Sequence, residues 1–385
     1  MTPDSFWITP DANSIDAFDQ QISQQTQAAD YPLATTIDQN VPIYDGDALR
    51  GAARDGVQRR AWKTEIIKCL KSGPGVLVIK NGLNKPDVID RATALFETMI
   101  DEQNAKGAAQ GDHFAKPGSN DRVWNALEKH CMADPENFAA YYACDGIALV
   151  SEAWLGLGYQ ITAQVNRVNP GGTAQMAHRD YHLGFMATDH VAEFPAHIHA
   201  MSPQLTLQGA VVHRDMPSAS GPTMILPFSQ SAQDGYVAFS RPEFQDMFNE
   251  RRVQIAMQQG DLLFFSPALM HAAGANTTQD LWRFGNLLQV SSGFGRAMET
   301  IDRTAMSLKL YPVLQAAGFD AHDRAMVIAA SAEGYPFPTN LDRDPPVGGM
   351  APKSQAVQMT ECLDKAISAS EFTLMMQSYD ARRQS

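Results

Sequence analysis

The spacing of apolar residues changes character twice along the chain. From Arg50 to Lys71 they recur at helical intervals, and a Ser-Gly-Pro-Gly breaker ends the run. An apolar run at 75–80 then predicts a buried strand, while Asp87–Lys106 and Asp134–Leu155 predict further helices. Residues 1 to about 45 are too polar to supply a core, so we expect them to wrap a surface or to contact a neighbouring subunit.

Beyond Gly158 the pattern becomes a series of short β-rich pieces separated by turn residues, which is typical of an antiparallel sandwich or barrel. The predicted strands are Tyr159–Val168, Gln204–Val212, Thr223–Pro227, Val253–Met257, Asp261–Phe265 and Arg283–Ser292. After about Thr300 helical spacing returns. The predicted helices there are Ala305–Ala317, His322–Ala330 and Ser354–Met376.

This order of elements predicts one domain over residues 1–385 with a mainly β core and flanking helices. We expect an N-terminal helical extension at 1–74, a core with inserted helices at 75–299 and a C-terminal helical extension at 300–385. Between the second and third predicted helices, the stretch from Lys116 to Trp124 is interpreted as a loop. A chain of this length is compatible with a single elaborated β domain.

Composition narrows the classes of partner. The net charge of −13 makes the molecule repel phosphate backbones and anionic membranes, so we expect neither nucleic acid nor membrane as a partner. Four scattered cysteines without CxxC spacing favour reduced thiols and a cytoplasmic location. We also find no run that is typical of a signal peptide or a membrane span.

The main candidate for a metal site is the pair His178 and Asp180, together with His271 far downstream. In an extended segment, residues two apart point to the same side, so both side chains can bind one metal ion. The distance along the chain to His271 leaves room for the strands of a double-stranded β-helix. Two imidazoles and one carboxylate on one face of a metal are typical of non-haem Fe(II) oxygenases.

Other histidines compete for this role. His213-Arg-Asp215 repeats the same tripeptide, but it follows an unbroken predicted strand and is interpreted as a polar turn. His197 and His199 would suit a cupin that binds metal through an HxH motif, although their Pro-flanked setting indicates a loop. For His182 the sequence leaves two interpretations open, a group beside the metal pocket or a packed polar residue at its edge.

Three blocks of the chain, within about 75–295, resemble the phytanoyl-CoA dioxygenase family of Fe(II)/2-oxoglutarate oxygenases. The first is Gln175-x-x-His178-Arg-Asp180-x-His182. The second, from Ser220 to Gln230, is similar to the family's NGPT-x-x-x-PGSH turn and strand, with glutamine replacing the final histidine. The third runs from Gly260-Asp through His271-x-x-Gly-x-Asn-x-Thr to Arg283. A weaker fourth, Asp121-Arg122-Val-Trp, resembles an upstream segment that reaches 2-oxoglutarate in some members.

The resemblance implies a jelly-roll, cupin-like fold and a dioxygenase activity that uses Fe(II), 2-oxoglutarate and O2. It implies that His178, Asp180 and His271 bind the iron, with Asp180 arguing against halogenation. It further implies that Arg283 and Thr223 bind the far carboxylate of 2-oxoglutarate. Gln175 and Arg122 would steady the end of 2-oxoglutarate that chelates iron.

The expected reaction is oxidation, by default hydroxylation, of a C–H bond in a small hydrophobic or amphipathic metabolite, with release of succinate and CO2. The segment from Ala329 to Pro346 resembles tails of some bacterial members, and we expect it to close the pocket or to form a homodimer surface. Two alternatives stay open at this point. A zinc-dependent hydrolase could use the same ligands, and a non-catalytic ligand-binding β-sandwich would merely pack them.

Overall fold

The computed structural model describes residues 6–10, 14–107, 118–232, 235–316 and 318–384. The N-terminal helices are α1 Ile15–Ile22, α2 Gly46–Ala53, α3 Gly56–Ser72, α4 Pro86–Ala105, α5 Ala126–Ala133, α6 Pro135–Tyr142 and α7 Asp145–Leu155. The later helices are α8 Thr188–Ala192, α9 Ala196–Met201, α10 Gly235–Ala238, α11 Pro242–Arg251, α12 Arg303–Gln315, α13 Ala321–Ser331, α14 Gln355–Asp364 and α15 Ala369–Arg383. The strands are β1 Thr36–Asp38, β2 Val41–Asp45, β3 Val76–Lys80, β4 Asn120–Val123, β5 Gln160–Val168, β6 Thr206–Val212, β7 Met224–Ile225, β8 Leu262–Phe265, β9 His271–Ala272 and β10 Arg283–Ser291.

Two sheets form the β core. The large sheet has the order β1-β2-β3-β8-β6-β10-β5-β4, and it is antiparallel except where β2 runs parallel to β3. The small sheet pairs β7 with β9, and isolated bridges add residue 178 beside His271 and residue 253 beside Ile225. The predicted mainly β, jelly-roll fold with flanking helices is confirmed, although Val253–Met257 forms only isolated bridges instead of a strand.

Alternation along the strands gives the large sheet two different faces. On β8, Leu262 and Phe264 belong to the large apolar cluster with the helices, whereas Leu263 and Phe265 belong to the cluster shared with Ile225 of the small sheet. One face of the large sheet is therefore covered by helices and the other by the small sheet, as the period of two in a strand dictates. The space between the two sheets is where a site can form.

Several predicted helices are interrupted by local caps. The segment 50–71 divides because the Asp55 side chain accepts hydrogen bonds from the backbone N–H groups of Val57 and Gln58 and so begins α3. The C-terminal segment divides at Ser368, which begins α15 with a reciprocal capping box to Glu371. The predicted single helix 134–155 is likewise two helices, α6 and α7.

The N-terminal prediction is wrong in one respect, because residues 36–45 are part of the large sheet. Val41 and Tyr44 of β2 are fully buried, and the Tyr44 ring packs on Trp62 at 5.5 Å between centroids. A boundary at residue 75 therefore cuts through the sheet. Likewise, 120–123 of the predicted loop is strand β4, while Lys116 lies outside the described residues.

All four cysteines are buried and unpaired, as predicted for structural thiols. In the described ranges, no helix combines the length and the apolar character needed to cross a bilayer.

Candidate metal centre and its cavity

His178, Asp180 and His271 come together between the two sheets. His178 and His271 exchange backbone hydrogen bonds of 3.0 and 3.1 Å, which brings their rings to 4.5 Å between centroids. The Asp180 carboxylate lies 3.8 Å from Nε2 of His178 and 3.4 Å from Nε2 of His271. One ligand atom from each residue falls within 4.8 Å of the others, so the three can share one ion.

Backbone carbonyls fix the tautomer of both histidines. Nδ1 of His178 lies 3.0 Å from the carbonyl oxygen of Met176, and Nδ1 of His271 lies 2.8 Å from that of Leu269. A carbonyl only accepts, so each Nδ1 must carry a proton, and Nε2, which faces Asp180, is the atom that would lose its proton to bind a metal. Outer contacts of this kind orient the imidazoles of metal sites. The donor set therefore fits a divalent metal such as iron.

Asp180 is held in its charged form. Burial raises the pKa of its carboxyl group, but the hydrogen bond from His271 and the charges of His178 and His271 outweigh burial and hold the pKa well below its ordinary value. Gln208 also donates a hydrogen bond to the carboxylate. Asp180 is therefore available as an anionic ligand at neutral pH.

The side chain of Arg283 lines the same cavity as His178, Asp180 and His271. It is buried, and its Nη1 donates to the carbonyl oxygens of Ser220 and Gly274 at 3.2 and 3.1 Å. Burial lowers the pKa of Arg283 to about 10, with no nearby charge contributing. The side chain is thus a buried cation at pH 7, without a carboxylate partner among the described residues, and it is suited to bind an anionic ligand.

The cavity between the sheets measures about 390 Å³, and Thr223, Gln175 and Arg122 also line it. Gln175 accepts a 2.9 Å hydrogen bond from the N–H of Ala273, so part of its amide holds a backbone segment. Arg122 donates to Gln164 at 3.2 Å. The structure thus brings all seven predicted site residues to one cavity.

The second HRD copy lies elsewhere. His213 is fully buried behind the large sheet, where Nδ1 contacts Thr93 Oγ1 at 2.9 Å and Nε2 contacts the Tyr141 hydroxyl at 2.8 Å. Burial lowers its pKa to about 3, so it is neutral at pH 7. Residues His213 and Arg214 form a bend directly after β6, as the interpretation as a turn predicts, but the His213 side chain is buried in an internal polar network.

The other competing histidines lie outside the cavity lining as well. His197 and His199 lie on α9, not on the predicted loop, and Nε2 of His199 contacts the Val191 carbonyl at 3.2 Å. His182 follows Asp180 with a positive φ of 42° and is partly buried, away from the cavity wall. This favours its interpretation as a packed polar residue.

Sequence reasoning missed a row of amides in the cavity wall, formed by Gln164, Asn166, Gln208 and Gln289. Gln208 and Gln289 are directly paired across β6 and β10. A signal for them exists in the sequence. Gln208 lies in the middle of the fully buried strand β6, and a polar residue in a buried strand needs a partner or a ligand.

The model of the family described as Phytanoyl-CoA dioxygenase (PhyH) matches residues 56–285 of this chain. The chain belongs to the phytanoyl-CoA dioxygenase family. It is therefore a 2-oxoglutarate-dependent non-haem iron enzyme, with Fe(II) and 2-oxoglutarate as its cofactors. Membership of this family decides against the two alternatives, a zinc-dependent hydrolase and a non-catalytic ligand-binding β-sandwich. No curated protein matches the chain.

Several solved structures share part of the topology. The epimerase SnoN from nogalamycin biosynthesis is 17% identical over 61% of this chain and 82% of its own, with a TM-score of 0.41. AviO1 from Streptomyces viridochromogenes Tue57 is 18% identical over 62% of this chain and 97% of its own, with a TM-score of 0.44. The carbocyclase SnoK is 17% identical over 60% and 83%, with a TM-score of 0.41. At this distance these likenesses assign no reaction to the chain.

Proposed function

We propose that the enzyme hydroxylates a C–H bond of a small organic metabolite, with Fe(II) bound by His178, Asp180 and His271. The observation that carries this proposal is the presence of a buried, uncompensated cation, Arg283, in the same cavity as the three convergent ligands. When iron and 2-oxoglutarate are bound, they supply the chemistry that activates O2 and breaks the C–H bond, with succinate and CO2 as co-products.

Arg283 and Thr223 would bind the carboxylate of 2-oxoglutarate that does not reach the metal. The guanidinium offers a planar set of donors, and two backbone carbonyls already fix its orientation through Nη1. Thr223 lines the cavity and can add a hydroxyl hydrogen bond. This arrangement explains why the arginine stays buried without an acidic partner.

Gln175 and Arg122 would steady the end of 2-oxoglutarate that chelates iron. Gln175 bonds both ways with Ala273, two residues after His271, so it positions the backbone beside a metal ligand. Arg122 is held against the Trp124 ring at 4.9 Å and can supply a second cation. Each would act mainly by fixing geometry.

The apolar wall of the cavity would exclude water from the reacting centre. Val212, Leu263 and Leu287 line it, together with Phe265, whose ring lies 4.7 Å from that of His271. Removing water strengthens the electrostatic contacts of the ligand set and protects reactive species from side reactions.

Beyond the site, we propose one cytoplasmic catalytic domain with a small-molecule substrate and no nucleic-acid partner. The net charge of −13 supports the last point. A homodimer through the segment 329–346 is part of the proposal, and size-exclusion chromatography with light scattering tests it. A monomer at micromolar concentration would remove it.

The reaction is tested by incubating the enzyme with Fe(II), 2-oxoglutarate and fractionated metabolite extracts. We expect one fraction to stimulate succinate release and to yield a product heavier by one oxygen atom. A product lighter by two hydrogens, or a rearranged isomer, would keep the cofactors and overturn hydroxylation. The Asp180→Ala variant serves as the control and should release no succinate.

A further inference from the structure

The cavity has two chemically different ends along the strands of the large sheet. Arg283 begins β10 and Gln289 lies six residues further on, a separation of about 20 Å at the rise of an extended strand. Leu287 lies between them and faces the same cavity. A 2-oxoglutarate bound at Arg283 would therefore leave the end with Gln289 for the substrate.

Amide groups dominate this second end. Gln208 and Gln289 face each other across β6 and β10, and both line the cavity with Gln164 of β5. Facing residues of an antiparallel pair have Cβ atoms about 5 Å apart, so the amides act on one small volume. Met298 and Trp124 line the cavity as well and supply apolar contact.

The orientation of the Gln208 amide is fixed by its partner. The Nε2 atom of the Gln208 amide is the donor to Asp180 Oδ2, so the amide oxygen points elsewhere. That oxygen, Oε1, is buried and accepts no hydrogen bond from a described residue. A buried acceptor without a donor is unfavourable, and a ligand O–H or N–H would satisfy it.

A second amide in the cavity wall also has a buried oxygen that accepts no hydrogen bond from a described residue. Asn166 lies on β5, its side chain is largely buried, and its Oδ1 accepts no hydrogen bond from a described residue. Gln289 accepts from the Tyr181 hydroxyl, which leaves its NH2 as the group it can offer. The wall therefore offers two unsatisfied acceptors beside one amide donor.

The charges that line the cavity decide which donors fit. The lining includes the guanidinium groups of Arg122 and Arg283 but only one carboxylate, Asp180, which is already engaged by both histidines and Gln208. With Fe(II) and doubly charged 2-oxoglutarate bound, the two guanidinium groups and Asp180 still leave a net positive charge, so a ligand ammonium would meet like charge and no available carboxylate among the lining residues. The donor must therefore be neutral.

We propose that the amide end is a substrate subsite for a neutral hydrogen-bond donor, a hydroxyl group on an otherwise apolar skeleton, with Gln208 Oε1 as the acceptor. The substrate class is thus an uncharged alcohol, not an amine. Because Gln208 also holds Asp180, the hydroxyl is bound next to the metal centre. This inference rests on the proposed function, since it places the substrate beside the proposed ligands.

Borneol, its methyl ether and bornylamine test this subsite, because they share one skeleton and differ in one group. Binding is measured by calorimetry on the metal-free protein with 2-oxoglutarate, and again with anaerobic Fe(II), where no turnover occurs. We expect borneol to bind about tenfold tighter than the ether, the worth of one hydrogen bond, and tighter still than the amine. Equal or better binding of the ether or the amine, or no binding of borneol, overturns the proposal.

Gln208→Met should abolish the preference for borneol over the ether, whereas Gln204→Met should retain it. Gln204 is exposed, and its amide donates to the Ala200 carbonyl before the start of β6, away from the cavity lining, so it is a matched control. If Gln208→Met does not fold, Gln289→Met on the facing strand should weaken borneol binding instead. An unchanged preference in the folded variant contradicts the subsite.

Different measurements would contradict the metal assignment and the substrate class. If the metal assignment is wrong, Fe(II) with 2-oxoglutarate gives no visible absorption band in the wild-type protein. If only the substrate class is wrong, that band appears and the preference for the alcohol is missing.

Discussion

At the scale of residues, one anion and one buried cation in a single cavity account for the proposed binding of iron and 2-oxoglutarate. Asp180 is anionic because two imidazoles and Gln208 surround it, and Arg283 remains cationic although burial lowers its pKa to about 10. The convergence of His178, Asp180 and His271 could be predicted from the sequence, because residues two apart in an extended segment point to one side and the resemblance to the family chooses this HRD copy over the second. The row of amides was missed: Gln208 stands out in the sequence as a polar residue of a buried strand, but only its pairing with Gln289 shows that the amides face one space.

Replacing His178 or Asp180 by alanine should abolish iron binding and turnover, because each removes one of three ligands. Iron content after anaerobic reconstitution measures this. His213→Ala should retain iron, since the His213 ring bonds to Thr93 and Tyr141 behind the sheet and does not line the cavity of the ligand set. The opposite result would assign the metal to the second HRD copy.

Arg283→Leu should raise the 2-oxoglutarate concentration needed for half-maximal succinate release by at least tenfold, while iron remains bound. The lost contact is a charge-assisted pair, which is worth about 1.5–3 kcal/mol. Titration of 2-oxoglutarate with iron analysis on the same sample separates the two effects. An unchanged requirement would remove Arg283 from the site.

At the scale of elements, short backbone contacts hold the site together. Gly221 adopts φ of 69°, and a Cβ there would lie 2.2 Å from the Ala275 carbonyl oxygen. Its neighbour Ser220 supplies one of the two carbonyls that hold Arg283. The helix breaks were missed because periodicity continues across a cap, although Ser368-x-x-Glu371 was readable as a capping box.

Gly221→Ala should therefore destabilise the protein by at least about 1–2 kcal/mol, the strain of a left-handed residue with a side chain, and should weaken 2-oxoglutarate binding. Urea unfolding and 2-oxoglutarate titration measure the two effects. Gly51→Ala is the matched control, since its Cβ meets nothing within 4 Å in the helix α2. Similar behaviour of both variants would exclude a role of this turn in seating Arg283.

His213 should make folding stability depend on pH. Its pKa is about 3 when folded and near 6.5 when unfolded, so the unfolded state binds the extra proton and stability falls as the pH drops below about 6.5. Between pH 7 and pH 5 this one group should cost about 2 kcal/mol. The His213→Gln variant should lose correspondingly less in urea unfolding, and an identical loss would show that His213 is not buried neutral.

At the scale of the whole molecule, one large apolar cluster joins distant parts of the described chain. The large cluster joins Tyr44 of the N-terminal segment, Leu262 of β8 and Met376 of α15, which supports the proposed single domain. The polar N-terminal sequence could not reveal its strand. Strand β2 has only five residues, four of them apolar, and the partner strand β3 lies more than thirty residues away.

Tyr44→Ala should lower the free energy of unfolding by about 3–5 kcal/mol in a single transition, as expected for truncation of a buried aromatic ring. Ile37→Ala on the edge strand β1, where the side chain is only partly buried, should cost clearly less. Tryptophan fluorescence and far-ultraviolet circular dichroism should give coincident curves. Two separate transitions would contradict one domain.

The central claim is that His178, Asp180 and His271 bind Fe(II) in reach of 2-oxoglutarate held by Arg283. Anaerobic titration of the wild-type protein with Fe(II) and 2-oxoglutarate tests it most directly. We predict a weak visible charge-transfer band that saturates at one iron per chain and is absent from His271→Ala. No band in the folded wild-type protein, or an equal band in His271→Ala, would contradict the account.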